Sequence, residues 1–458
     1  MDSGGIINLL DWIIAPFYIF IVFIVATNIK KKEIKKNPVY RYFIWGLIVK
    51  IMGAIALCFI YVYYYDGRGD TIGYFDSGKT MVNFLFYSPV YFFKVIFSPT
   101  SLENLSFFPS DIGVPGYWTD IPAFNAVRFM TVAVFFGFKS YLASSIIMGV
   151  FSFSGVWKLY IMFCECYPKL SKQFAIVILF IPSVAFWGSG LLKDSLTLAA
   201  AGWYSYSFYK MFIKKEKIIS SAITLILSIF ILVLIKPYIF VGLLPGSLLW
   251  LIWNQLLKFK SIFLRTLIAP LIVFLGLFVG YLFWTMTSSN LGEFGSIDSM
   301  ISKANSSYED LKSEYYHGNS FDIGKYDPTI SGVLSKFPIA TFTGLFRPLI
   351  WEAKNPVMFI SGMENLMFLL FALYYLFRNP ISFFKIVFSN PLVLFSLIFG
   401  VFFAFSVAVS TSNFGALVRL RIPAIPFFLA GLVLVEYLSR EREQNKSVHS
   451  PRKAAYTS

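Results

Sequence analysis

The chain has 458 residues, of which 57% are hydrophobic and 14% charged, a balance that excludes an ordinary water-soluble domain. Its formal net charge of +15 would suit a nucleic-acid partner, but the basic residues are divided among short loops between apolar runs. They read as topology signals, so the first partner expected is the lipid bilayer and no nucleic acid is expected.

Apolar stretches able to cross a hydrocarbon core of roughly 30 Å recur at 6–27, 43–64, 140–163, 174–190, 195–212, 219–235, 238–256, 266–286, 357–377, 388–408 and 422–438. They predict an all-α, polytopic membrane protein with about eleven transmembrane helices. Met1 to Thr27 lacks a basic leader and a small-residue cleavage pattern and is read as a retained span. The basic loops at Lys30 to Lys36, Lys169 to Lys172, Lys214 to Lys217, Lys258 to Arg265 and Arg378 to Lys385, with the tail from Arg440, all fall on one side if every span crosses. Positive charge marks that side as cytoplasmic, with the amino terminus outside and the carboxyl terminus inside. One membrane domain, 1–439, is thus followed by a basic tail, 440–458, expected to be disordered.

Two long outer loops are predicted, 65–139 and 287–356. The first opens with Tyr65-Asp66-Gly67-Arg68-Gly69-Asp70-Thr71-Ile72-Gly73-Tyr74-Phe75-Asp76, directly after the second span. Glycine lets backbone approach a ligand closely, and carboxylates at a lipid boundary are costly enough to imply chemistry or ion binding. Met81 to Phe97 is aromatic and broken by proline, and 121–138 carries Asn125 and Arg128, so both are expected as interfacial or re-entrant helices over a cavity. The second outer loop, with Glu309, Asp310, Glu314 and His317, reads as a lid or, with more weight, a spacer.

Four further groups are expected at the same face. Phe186-Trp187-Gly188-Ser189-Gly190-Leu191-Leu192-Lys193-Asp194-Ser195 forms a turn between the fourth and fifth spans. Lys193 and Asp194 there suit a ligand site and, equally, a snorkelling lysine beside a helix cap. Lys236 lies in an outer turn, where snorkelling outweighs phosphate binding, and Arg347 can pair with Glu352 or with substrate. Arg419 and Arg421 oppose the positive-inside bias, which calls for an anionic partner or a structural acid.

Together the acidic loop with its tyrosines, the Pro-x-x-x-Phe-Trp-Gly-Ser-Gly-x-x-Lys-Asp-Ser turn from Pro182 and the late outer arginine resemble bacterial polysaccharide polymerases of the EpsG and Wzy type. More distantly, the plan is similar to that of the GT-C membrane glycosyltransferases. The resemblance implies glycan transfer from a polyprenyl-linked donor to a glycan or lipid-linked acceptor at the outer face of the bacterial inner membrane. It implies Asp70 as the first-loop acid, with Asp66 and Asp76 as alternates, and Arg419 or Arg421 as the late arginine. Lys193-Asp194 stands where EpsG-like proteins carry an arginine, and no unambiguous GT-C acidic pair is present.

The residues suit that chemistry. Attack of a sugar hydroxyl on a phosphate-activated anomeric carbon needs a base and cations to hold the departing phosphate. Asp70 is the candidate base, Arg68, Lys193, Lys236, Arg347, Arg419 and Arg421 are candidate donor contacts, and Asp194 joins them as a substrate-site candidate. No cofactor is required, although Asp66, Asp70 and Asp76 could bind a divalent cation through waters. The alternatives are a transporter or flippase for a lipid-linked or anionic substrate and a non-catalytic envelope scaffold. A transporter would be expected to show broken helices and ionisable groups at mid-membrane. Phosphate-loop and zinc-protease motifs are absent, and Cys58, Cys164 and Cys166 suggest neither a disulfide nor a metal site.

Overall fold

The computed structural model describes residues 5–256, 296–312 and 319–449. The expected span 266–286, the basic stretch Lys258 to Arg265, Glu314 and His317 lie outside the described residues. Among those described the chain is helical, with one isolated bridge, Ser320 to Asn413, as its only extended pairing. It divides into two compact units, 1–240 and 241–458.

Among the described residues, six helices are long and apolar enough to cross a membrane: Leu9–Glu33, Pro38–Tyr64, Tyr141–Cys166, Ile218–Ile235, Pro356–Arg378 and Pro391–Ser410. A seventh results if Phe414–Leu420 and Ile425–Gln444, bent by 66°, count as one span. The chain is therefore a multi-pass membrane protein, and the described residues, which leave out 266–286, hold six or seven of the eleven expected spans as complete apolar helices. Expected span 174–190 is interrupted: a wide π turn at Ala175–Leu179 gives way to Phe180 and Ile181, and only Pro182–Trp187 resumes as helix. Pro182 lacks an amide hydrogen and restricts Ile181 before it, so the preceding helix cannot run through. Expected spans 195–212 and 238–256 are helices, the first rich in Ser and Tyr, the second running over Pro237–Leu256.

In the first unit, α1 (Leu9–Glu33), α2 (Phe43–Phe59, continued by a π turn to Tyr64), α3 (Asp70–Tyr87), α4 (Pro89–Phe97), α5 (Leu102–Leu105), α6 (Ile121–Phe136) and α7 (Tyr141–Cys166) follow in order. They lead to α8 (Ser171–Phe174), α9 (Pro182–Trp187), α10 (Lys193–Phe208, continued by a π turn to Lys214) and α11 (Ile218–Ile235). The central contact is α7 against α10. A Cβ on Gly155 or Gly202 would overlap the facing backbone, so the two helices meet at Gly155, Ala199 and Gly202. Small residues allow this approach where lipid offers no hydrophobic driving force between helices.

Buried polar groups tie the layers together. Asp11 of α1 accepts from the Ser140 hydroxyl (2.6 Å) and the Leu142 amide (2.9 Å), closing the start of α7. Arg128 of α6 donates to Asn125 (2.7 Å) and to the Val95 and Ser98 carbonyls at the end of α4. These bonds satisfy orphan groups at helix termini, which lipid cannot do.

Helix α12 (Pro237–Leu256) passes from the first unit into the second. There α13 (Ile297–Asp310), α14 (Ile330–Ser335), α15 (Phe337–Phe346), α16 (Pro356–Arg378), α17 (Pro380–Val387), α18 (Pro391–Ser410), α19 (Phe414–Leu420) and α20 (Ile425–His449) follow. Helix α18 is the centre of that unit: Gly344 meets the backbone at Ala404, and Gly400 lies against Phe428 of α20. Helix α20 runs on to His449, into the stretch read from sequence as a tail.

Candidate functional site

The acidic run after the second span is a turn followed by a helix start. Asp66 and Arg68 are exposed in the turn, while Asp70 is half-buried in the first turn of α3. Gly69 (φ 102°) precedes Asp70, and a Cβ there would lie 2.8 Å from the Tyr61 ring. Gly73 is needed as well: a Cβ would come 2.7 Å from the Tyr117 hydroxyl, and Tyr117 stacks on Tyr74 with ring centroids 4.5 Å apart. Thr71 shares a 2.6 Å hydrogen bond with Tyr141, joining the start of α3 to the start of α7. Asp76 faces outward and pairs with Lys79 at 2.8 Å. Among the described residues no three His, Cys, Asp or Glu side chains form a group that could hold a metal ion.

The Tyr117 loop ends in Asp120, which caps α6 through the Ala123 amide (3.0 Å) and meets Lys193 at 3.7 Å. Lys193 is 21% and Asp120 52% exposed. One residue on, Asp194 is fully buried and accepts a 2.5 Å charge-assisted bond from Lys236, itself buried. Taking two ions out of water is costly unless they meet in good geometry, as these do. Lys236 is therefore a paired interior charge, and the snorkelling expected from the sequence does not describe it.

The turn leading to Lys193 lies deeper than the sequence suggested. Gly53, near the middle of the Pro38–Tyr64 span, packs on Ala185 and Ser189, and Gly149 of α7 lies against the Ser189 carbonyl. Lys50, fully buried in the same span, donates to the Gly188 carbonyl (2.8 Å), the Val184 carbonyl (3.1 Å) and Ser152 (3.5 Å). It thus closes the end of α9, adding a second donor to the Val184 carbonyl and one to the Gly188 carbonyl beyond the helix. Helices α7 and α10 run parallel, from Gly155 beside Ala199 to Glu165 bonded to Lys210 at 2.8 Å. By that register Lys193 lies roughly 12 Å along from the start of α7.

In the second unit the late arginines take separate roles. Arg421 is fully buried, and its guanidinium donates to the carbonyls of Gly344 (2.9 Å) and Arg347 (3.0 Å) and to Asn365. Asn365 in turn donates to the Pro348 carbonyl at 2.9 Å. Arg421 closes the end of α15 and is enclosed by protein acceptors. Arg347 forms a two-pronged pair with Glu352 and lies over the rings of Phe321 and Phe414, 5.3 and 5.2 Å from their centroids. Arg419, in the last turn of α19, is half-buried. Lys193, Lys236 and Asp70 belong to the first unit, Arg347, Arg419 and Arg421 to the second.

Sequence reasoning missed Lys50, Asp120, Tyr117 and Asn365 as parts of these networks. A lone lysine at the centre of an apolar run was the available signal for Lys50, since its side chain cannot reach either surface from mid-span. No protein-family model matches the chain, and no curated protein or solved structure matches it.

Proposed function

We propose that the protein is a membrane glycosyltransferase, or an oligosaccharide repeat-unit polymerase, using a polyprenyl phosphate- or pyrophosphate-linked glycan donor at the outer face of the bacterial inner membrane. The supporting observation is one series of contacts in the first unit. Asp70 opens α3 beside the Tyr74–Tyr117 stack, the Tyr117 loop ends in Asp120, and Asp120 meets Lys193 next to the Asp194–Lys236 pair. An acid, an aromatic face and cations are the parts that transfer from a lipid phosphate requires.

In this scheme the acceptor hydroxyl oxygen bonds to the anomeric carbon while that carbon's bond to the phosphate oxygen breaks. Asp70 takes the hydroxyl proton, and the phosphate leaves with the bonding electron pair. Lys193, whose contact with Asp120 is long at 3.7 Å, exchanges that carboxylate for the phosphate. Tyr117, half-buried and stacked on the buried Tyr74, offers its ring to the sugar. Asp66 and Asp76 remain alternate acids.

The interrupted span and the buried Lys50 favour a second reading, a carrier for the lipid-linked substrate, because broken helices and mid-membrane charges are features of transporters. A deletion strain separates the two. Accumulation of single lipid-linked repeat units supports a polymerase, and loss of one sugar supports a single-sugar transferase. Unchanged glycans with mislocalised intermediates support the carrier and contradict the enzyme.

A further inference from the structure

Helix α1 carries a stripe whose chemistry changes along its length. Phe20, Phe23, Ile24, Thr27, Asn28 and Lys31 are spaced three or four residues apart, so they share one helix face, and they line an open crease of about 330 Å³. The stripe runs from aromatic and aliphatic, through two small polar side chains, to a cation, over roughly 16 Å. Little of α1 is covered by the rest of the protein, and Phe20, Ile24, Asn28 and Lys31 are exposed. In a membrane-spanning helix that surface has lipid as its solvent.

We propose that this crease binds one anionic phospholipid. Its acyl chain lies along Phe20, Phe23 and Ile24, its polar ester region beside Thr27 and Asn28, and its phosphate against Lys31. Charge complementarity selects this occupant over a zwitterionic lipid: Lys30, Lys31, Lys32, Lys35 and Lys36 surround a single acid, Glu33, at this end of the helix. A row of lysines alone would only mark a topology boundary. The graded stripe leading into Lys31 adds the order of chemistry found along a lipid, from chain to ester to phosphate. The inference rests on the membrane class of the protein and is independent of the proposed transferase activity.

The test uses full-length protein reconstituted in phosphatidylcholine bilayers containing phosphatidylglycerol, then extracted and weighed intact by native mass spectrometry. Wild-type protein is expected to retain phosphatidylglycerol in preference to phosphatidylcholine. Lys31→Gln should lower that retention about fivefold, the effect of one cation beside an anionic headgroup. Thr27→Trp, which fills the crease without changing charge, should lower it too, whereas Lys32→Gln, outside the crease, should lower it less than Lys31→Gln. Unchanged retention in both crease variants would overturn the proposal. So would equal retention of phosphatidylcholine, or a second copy of the chain crosslinked along α1 in place of lipid.

Discussion

In the first unit Lys193 is 21% exposed and touches its acid at 3.7 Å, whereas in the second Arg421 is enclosed, with two backbone carbonyls and an asparagine on its guanidinium. Both residues are positive charges set among apolar surroundings. The contrast shows that such a charge has two physical explanations. Arg421 satisfies carbonyls that a helix end leaves over, a need the bilayer imposes. Lys193 keeps a half-exposed carboxylate, Asp120, as its neighbour, the arrangement on which the proposed phosphate contact rests.

The contrast breaks most visibly at the Asp194–Lys236 pair. Asp194→Leu or Lys236→Met alone strands one buried charge and is expected to destabilise the protein by about 3–5 kcal/mol. The double replacement should recover most of that loss. Melting temperature and monodispersity of the detergent-purified protein measure it, and a double variant no better than the worse single one would show that the pair is not an isolated couple.

A somewhat smaller loss is expected at Arg421. Arg421→Lys keeps the charge but not the fork that reaches Gly344, Arg347 and Asn365 together, and should cost about 2–3 kcal/mol. If Arg421→Lys melts like wild type yet abolishes transfer, Arg421 belongs to the reacting site and the distinction between the units falls.

The smallest effect concerns the segment that runs beside α18 and α19. Phe321 donates its amide to the Ser412 carbonyl at 2.7 Å, and Asp322 accepts from Lys312 (2.7 Å), the Gly324 amide (2.6 Å) and Tyr308 (3.1 Å). The Lys312 ammonium, helped by the Gly324 amide, holds the Asp322 carboxyl below its ordinary value. A carboxyl depressed on folding stabilises the native state above its unfolded pKa of about 3.9. That contribution is lost as pH falls through the lower folded value. For so exposed a pair it is worth less than about 1 kcal/mol. Lys312→Gln should flatten the acid limb of a thermal-stability profile slightly, and an unchanged limb would remove the pair from the account.

How much of this was legible in the sequence varies with how local the cause is. Gly69-Asp70 and Lys193-Asp194 stand out because glycine and charge are rare in apolar surroundings, and both pairs prove to open helices. The interruption of 174–190 was signalled by Ile181-Pro182, but an apolar window masks a break that neighbouring helices satisfy. The depth of the Gly188 to Gly190 turn was not legible, because it depends on Lys50, Gly53 and Gly149, which approach it from two other helices. The partners of Arg421 were not legible for the same reason. Its acceptors lie at the end of α15 and on α16, and nothing near it in sequence announces them.

The most direct test reconstitutes the purified protein with a polyprenyl-linked glycan donor and compares transfer by wild type, Asp70→Asn and Lys193→Gln at matched folded concentration. Asp70→Asn keeps the shape and loses the proton acceptor, so transfer should fall by about 10²–10⁴. Lys193→Gln should also impair transfer while its melting temperature moves by less than about 1 kcal/mol equivalent. Wild-type turnover by Asp70→Asn would contradict the assignment of the base, and wild-type turnover by both variants would remove the first-unit cluster from the chemistry.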